Sequence, residues 1–423
     1  MGKKKIQIEK FDPAAITKAA RDKIGSDESV ICGIPVPSLA LQHLLNSKVL
    51  PLSRMMEIYG NPGAGKSTFL YEIMRWFVEA GGFVYLGETE QKDAAILRRA
   101  VCRWNADAVD QITASYDATF EEWTSQLSKA LAHYSEIQDK QGANFPVLFS
   151  IDAVTSVESE KSVKEFADEG NIQIAYAGLA LRLSKLLRSL NASYANRPFL
   201  LAFVNHVKDK INSIGYGDNK TLPGGSALYY GCHLILELTF TGSNSSASYF
   251  TRNIQIRVEK NGIQEKGKRF IVPVRYWTTP DPLDETRTLQ QILYDWDYAD
   301  IKFLLDEMDS KNNSAEKRKA LKAIVDLNTT KVGASNAIWS EALDIPESDP
   351  VSFSEAGKIL KDTPEVFKKL QGWYINTDSV PFVAGEDYND ILEKAKQDVD
   401  ARYRAISDAL YKKVILDENK EEL

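Results

Sequence analysis

Residues 60 to 67 read Gly-Asn-Pro-Gly-Ala-Gly-Lys-Ser, which satisfies the pattern G-x-x-x-x-G-K-[ST] in full. The apolar run from Arg54 to Tyr59 reads as a short buried strand entering the loop, and STFLYEIMRWFVEAG reads as the helix leaving it. That context turns a pattern into a mechanism. Glycines at 60, 63 and 65 let the backbone turn tightly, so that successive N–H groups and the helix N-terminus face phosphate oxygens. Lys66 is expected to reach the β- and γ-phosphates, and the Ser67 hydroxyl to ligate Mg2+. Gly60, Asn61, Pro62, Gly63, Ala64, Gly65, Lys66, Ser67 and Thr68 thus form the expected ATP cradle.

The flanking text extends this unit into an α/β layout. After the loop come the strand FVYLGE, the helix DAAILRRAVCRW, the charged helix EEWTSQLSKALAHYSEI, the strand PVLFSID, the helix GLALRLSKLLRSLNASY and the strand FLLAFVN. Continuous apolar strands alternating with helices describe a mostly parallel sheet covered on both faces. Beyond residue 220, HLILELTF, NIQIRVEK and RFIVPVRYW read as antiparallel strands added to that sheet. A boundary is expected at TTPDPLDETRT, where prolines and acids interrupt the strands, and residues 281–423 read as largely helical with an acidic end. Near the start, Asp12 as N-cap and Pro13 at the first helical position mark a helix.

Composition narrows the class. With 423 residues, 43% hydrophobic and 26% charged, the chain is globular and large enough for two to three domains. Three cysteines, Cys32, Cys102 and Cys232, are too scattered for a zinc site or a secreted disulfide scaffold, which fits a reducing cytoplasm. No apolar stretch suits a signal peptide or a membrane span. A formal net charge of −7 means that any nucleic-acid binding has to come from local basic clusters.

Two further carboxylate positions complete the expected chemistry. Asp152 ends the apolar run VLFSID, where a second magnesium-side carboxylate belongs. The strand FVYLG ends in Glu88-Thr-Glu90, and one of these glutamates is placed to orient the attacking water, with periodicity alone leaving the two open.

The segments EIYGNPGAGKST, FVYLGETE, VLFSID, AGLALRLSKLLRSL, FVNHVKDKI, PGGSALYYG and IRVEKNGI together resemble the ordered landmarks of RecA-type recombinases, over roughly residues 30 to 275. Asn205-His206, in place of the Asn-Gln of bacterial RecA, is similar to the phage UvsX branch. The resemblance implies a RecA-like P-loop core at 46–280, preceded by an N-terminal oligomerisation helix and lead-in at 1–45 and followed by a helical C-terminal domain at 281–423. It selects Glu90 as the catalytic glutamate and puts His206 as a polar sensor between the γ-phosphate and a second DNA loop.

By the same resemblance, residues 158–176 form a first DNA loop and residues 208–225 a second, with Lys208, Lys210, Asn212, Gly224, Gly225 and, on the preceding helix, Arg182 as DNA contacts. Lys260 matches a cation supplied across the subunit interface as part of the catalytic set. Gly262 stands where RecA has a second lysine. Tyr230 matches an interface aromatic, and Phe11-x-x-Ala14 resembles a short polymerisation motif. The implied activity is a DNA-dependent ATPase in bacterial cytoplasm, of cellular or phage origin. It would form open helical filaments on single-stranded DNA, act on double-stranded DNA, and work with loading or single-strand-binding proteins. The rival readings are a RecA-fold helicase or KaiC-like ATPase, and an ATP-binding DNA-coating filament with little turnover.

Overall fold

The computed structural model describes residues 31–90, 101, 107–141, 145–160, 162–164, 176–194, 197–209, 220–245, 250–262, 270–281, 284–308, 353–375 and 379–398. The chain begins with β1 (Ile31–Pro35), α1 (Leu39–Leu45), β2 (Val49–Pro51), β3 (Arg54–Gly60) and α2 (Lys66–Glu79). It continues through β4 (Phe83–Glu88), β5 (Ile112–Tyr116), α3 (Phe120–Gln141), β6 (Val147–Asp152), α4 (Tyr176–Tyr194) and β7 (Phe199–His206). A two-residue ladder, β8 (Lys208–Asp209) with β9 (Lys220–Thr221), precedes α5 (Ser226–Gly231). Four long strands follow: β10 (Leu234–Ser245), β11 (Phe250–Asn261), β12 (Phe270–Asp281) and β13 (Asp284–Tyr294). Last come α6 (Trp296–Met308), α7 (Phe353–Asp362), α8 (Pro364–Tyr374), β14 (Ser379–Pro381) and a helix over 388–398.

Nine strands pair in the order β13-β12-β11-β10-β3-β7-β6-β4-β5, parallel from β10 to β5 and antiparallel from β10 to β13. The parallel strands read as unbroken apolar runs because each face has its own core. On β3, Met56 and Ile58 join the layer that holds Phe69, Ile73 and Phe77 of α2. Met55 and Tyr59 join the opposite layer, with Trp123 of α3 and Leu183 and Leu187 of α4. Burying side chains of this size contributes about 1.5–3 kcal/mol each, which is what holds the helices against the sheet.

One strand escaped the sequence reading. β5, ITASY, is half exposed along its length and lies at the sheet edge, so it carries no apolar run to betray it.

The expected boundary at 280/281 falls in the last two residues of β12, which pairs with β13 from Val274↔Tyr294 to Asp281↔Asp284. Pro280, Asp281 and Asp284, which read as part of a linker, are paired strand residues. Residues beyond it return to the same core rather than forming a separate layer: Leu304, Leu360, Leu370, Phe382 and Ile391 are buried with the α2-side cluster. β14 pairs in parallel with β1, and β2 pairs antiparallel with β1 on its other side. The described part of the lead-in, from Ile31 to Leu45, is likewise continuous with the core.

A buried carboxylate locks this arrangement. Asp300 of α6 accepts from Ser38 Oγ (2.5 Å) and Ala40 N (3.0 Å) at the head of α1, and Lys361 of α7 lies 3.5 Å away. Burial raises the Asp300 carboxyl, opposed by Lys361. Two free thiols, Cys32 and Cys232, are buried, and burial pushes Cys32 up to about 12, so it packs as a small apolar group.

The expected N-terminal helix with Phe11 and Ala14, and the acidic end of the chain, lie outside the described residues.

Candidate nucleotide-hydrolysis site

Parallel pairing brings four strand ends to one edge. Gly60 at the end of β3 is in register with His206 at the end of β7, and Glu88 at the end of β4 is in register with Asp152 at the end of β6. The carboxyl ends of parallel strands are where open α/β sheets gather ligand-binding groups.

The phosphate loop leaves β3 here. Gly65 takes φ +82 as N-cap of α2, a left-handed conformation, and a Cβ on it would fall 2.3 Å from Ile254 Cδ1. A Cβ on Gly60 would lie 2.2 Å from the Leu238 carbonyl oxygen. Glycine is therefore required at 65 by its left-handed backbone and at 60 by the backbone carbonyl it meets.

Lys66 is 4% exposed and donates through Nζ to the carbonyls of Gly60 (3.0 Å) and Asn61 (2.9 Å). No side chain caps α2, and its first turn has no acid. A buried cation beside uncapped helix N–H groups suits an anion, so the residues fit a nucleotide's phosphates. Ser67 and Asp152 offer the hard oxygen donors that Mg2+ takes together with phosphates. Asp152 is fully buried.

The two glutamates separate by environment. Glu88 is 3% exposed, and its Oε1 accepts from the Glu90 backbone N–H at 2.7 Å. The Glu90 side chain is 29% exposed, with its Oε1 2.9 Å from His206 Nε2 and 3.3 Å from the donating Ser156 Oγ. Thr89, between them, braces β4 to β6: its Oγ1 donates to the Ala153 carbonyl and accepts from the Ala153 N–H, both at 2.9 Å. An exposed carboxylate fixed by two donors at the edge of a phosphate loop can orient a water and accept its proton. Neither Ser156 nor the bracing by Thr89 carried any signal in the sequence.

Behind this edge, Asn205 Nδ2 donates to Glu57 Oε1 (2.7 Å) and to the Pro223 carbonyl (3.0 Å), tying β7 and β3 to the turn that holds Gly224 and Gly225. Burial pushes the Glu57 carboxyl up to about 7 against the pull of the Asn205 hydrogen bond.

Over 260 residues the chain is 25% identical to Protein RecA of Nautilia profundicola, a match taking in 61% of this chain and 68% of that protein. The chain is similar to RecA. No family model matches it. The similarity supports a RecA-type family, and a large, mostly parallel sheet between helices agrees with a RecA-like core.

The other expected residues lie around this core. Arg182 on α4 is engaged within the chain: Nη1 is 3.5 Å from Glu121 Oε1, and the guanidinium lies 5.4 Å from the Phe120 ring centroid. Lys208 opens the β8–β9 ladder, opposite Thr221, while Lys210, Asn212 and residues 165–175 of the first expected loop lie outside the described residues. Gly224 and Gly225 lead into α5, on which Tyr230 is 77% exposed.

Lys260 Nζ donates to the carbonyls of Tyr229 (2.6 Å) and Cys232 (2.8 Å) at the end of α5. It pairs with Ile235, itself opposite Glu57, so it sits on the α5 face at the middle of β3, three residues short of Gly60. Within one chain, Lys260 does not serve that loop. Among the described residues no helix is long and apolar enough to cross a membrane.

Proposed function

We propose that the chain is a DNA-dependent ATPase that polymerises on single-stranded DNA, pairs it with homologous duplex and exchanges strands. The observation that carries this reading is the 2.9 Å contact of His206 with Glu90. β7 runs from that contact through Val207 into the β8–β9 ladder, so a change at the phosphates has a covalent path into the second loop.

Bound ATP with Mg2+ supplies the γ-phosphoryl group and the charge that neutralises it. The chain does the rest: Lys66 and the loop from Gly60 to Thr68 hold phosphates, and Ser67 and Asp152 hold the metal. Glu90 orients the attacking water and takes its proton, while His206 fixes Glu90. Lys260 acts in trans on the neighbouring copy, which joins hydrolysis to assembly, with Tyr230, Phe11 and Ala14 at the contact. Arg182, Lys208, Lys210, Asn212, Gly224 and Gly225 meet the DNA backbone. Asn205-His206 favours the UvsX-like branch, with loading or single-strand-binding proteins as partners in bacterial cytoplasm.

Strand exchange with homologous and heterologous duplexes, run beside Lys66→Ala, tests the reading. Product is expected from the homologous duplex alone, and none from the variant. Equal product from both duplexes, or full activity in the variant, would sink it. One observation favours a DNA-coating filament with little turnover instead: Gly262 removes one cation, and Lys260 is held by its own carbonyls. Filaments whose ATP hydrolysis ignores saturating single-stranded DNA would establish that alternative.

A further inference from the structure

β10 and β11 each run 12 residues, whereas β3 has 7 and pairs with β10 only from Met56↔Leu234 to Gly60↔Leu238. Residues 239–245 therefore overhang the phosphate loop by about 20 Å at the usual strand rise.

Register identifies which face of the overhang looks onto the loop. Ile254, whose side chain fills the space beside Gly65, stands opposite Phe240. Arg252 and Phe250 follow on the same face at two-residue steps. Within the core that face is buried with α2; beyond the loop it opens, with Phe240 45% and Phe250 38% exposed. The Arg252 guanidinium lies 5.7 Å from the Phe240 ring centroid and 5.6 Å from that of Phe250, and its Nη1 donates to the Gly63 carbonyl at 3.2 Å. An aromatic–cation–aromatic ladder thus hangs from the phosphate loop itself. The other exposed aromatics among the described residues lie elsewhere: Tyr116 on the edge strand β5, Tyr229 and Tyr230 on α5.

We propose that Phe240, Arg252 and Phe250 form the stacking platform for the base of the nucleotide whose phosphates the loop holds. This rests on the nucleotide-site reading above. Aromatic rings and guanidinium planes offer flat polarisable faces to a purine, and the Gly63 contact holds them beside the loop that would carry the phosphates. Because every base has a π-face, the platform would bind purine nucleoside triphosphates with little discrimination among bases.

The test compares Mg-ATP with inorganic tripolyphosphate, which has no base, on the full chain and on Phe240→Ser and Phe250→Ser. Loss of stacking is expected to weaken ATP binding about tenfold in either variant while tripolyphosphate binds as in wild type. Unchanged ATP affinity would overturn the proposal, as would an equal loss for both ligands, which would mean that the rings act through the loop. A loss confined to single-stranded DNA binding, or to self-association, would also overturn it and reassign the ladder to that ligand. Wild-type protein that binds neither ATP nor tripolyphosphate would instead bring down the nucleotide-site reading on which the proposal stands.

Discussion

The two halves of the large sheet solve different problems with the same backbone. In the parallel half, the inner strands β3, β4, β6 and β7, of six to eight residues, are closed in by helices on both faces, so chemistry can leave only through their ends: Gly60, Glu88, Asp152 and His206 are all end residues. In the antiparallel half, strands run 11 to 12 residues, and β10 and β11 outrun β3, so a face as well as an end reaches the site edge. Parallel strands position single groups with little freedom, whereas the overhanging hairpins add surface beside them. Substitution costs should follow that division, high for chemistry at strand ends and for the seam between the halves, lower for groups inside the parallel half.

The largest effect is expected just beyond a strand end, two residues after β4. Glu90→Gln should lower kcat for ATP hydrolysis by about 10²–10⁴, the usual worth of a positioned base, and leave nucleotide affinity close to wild type; steady-state kinetics with binding titrations would check both. If affinity falls and kcat does not, Glu90 belongs to binding, and the contrast between ends and faces loses its main support.

Gly65→Ala probes the seam, because the added methyl would meet Ile254 of β11 from a left-handed backbone position. Strain and overpacking together predict a loss of about 2–4 kcal/mol in urea unfolding. Near-neutral stability would mean that the two halves are less tightly coupled than the 2.3 Å approach implies.

Inside the parallel half, Glu57 gives a smaller, pH-dependent effect. Its carboxyl holds a proton more tightly in the folded chain than in the unfolded one, so its ionisation destabilises the fold as pH rises from 4.5 through about 7. Glu57→Gln keeps an acceptor for Asn205 and removes that ionisation. It should gain about 2 kcal/mol over wild type at alkaline pH and nothing in acid below the ordinary carboxyl range, read from thermal unfolding across pH. A gain of the same size at both ends would exclude a charge effect.

Much of the parallel half was legible from residues alone, because covering both faces leaves long apolar runs and the phosphate loop fixes where the edge must be. Glu90 was not separable from Glu88 by pattern: the difference is burial, and it depends on His206 and Ser156 arriving from β7 and from the turn after β6. The hairpin at Pro280 and Asp281 was hidden because turn chemistry and linker chemistry use the same residues. The return of residues 353–398 to the core was invisible for another reason. Leu360 and Phe382 show an ordinary apolar pattern, and nothing local says which surface they will meet.

The pairing of β14 with β1 has a consequence for how such a chain leaves the ribosome. β1 can join β2 almost as soon as both exist, since only the 13 residues 36–48 separate them in the connection through α1. Its other edge waits for Ser379–Pro381. Throughout the synthesis of the sheet, that edge is open backbone of the kind that pairs with whatever strand is near. A nascent chain stalled before residue 379 should therefore carry a sticky seam that the finished one has closed.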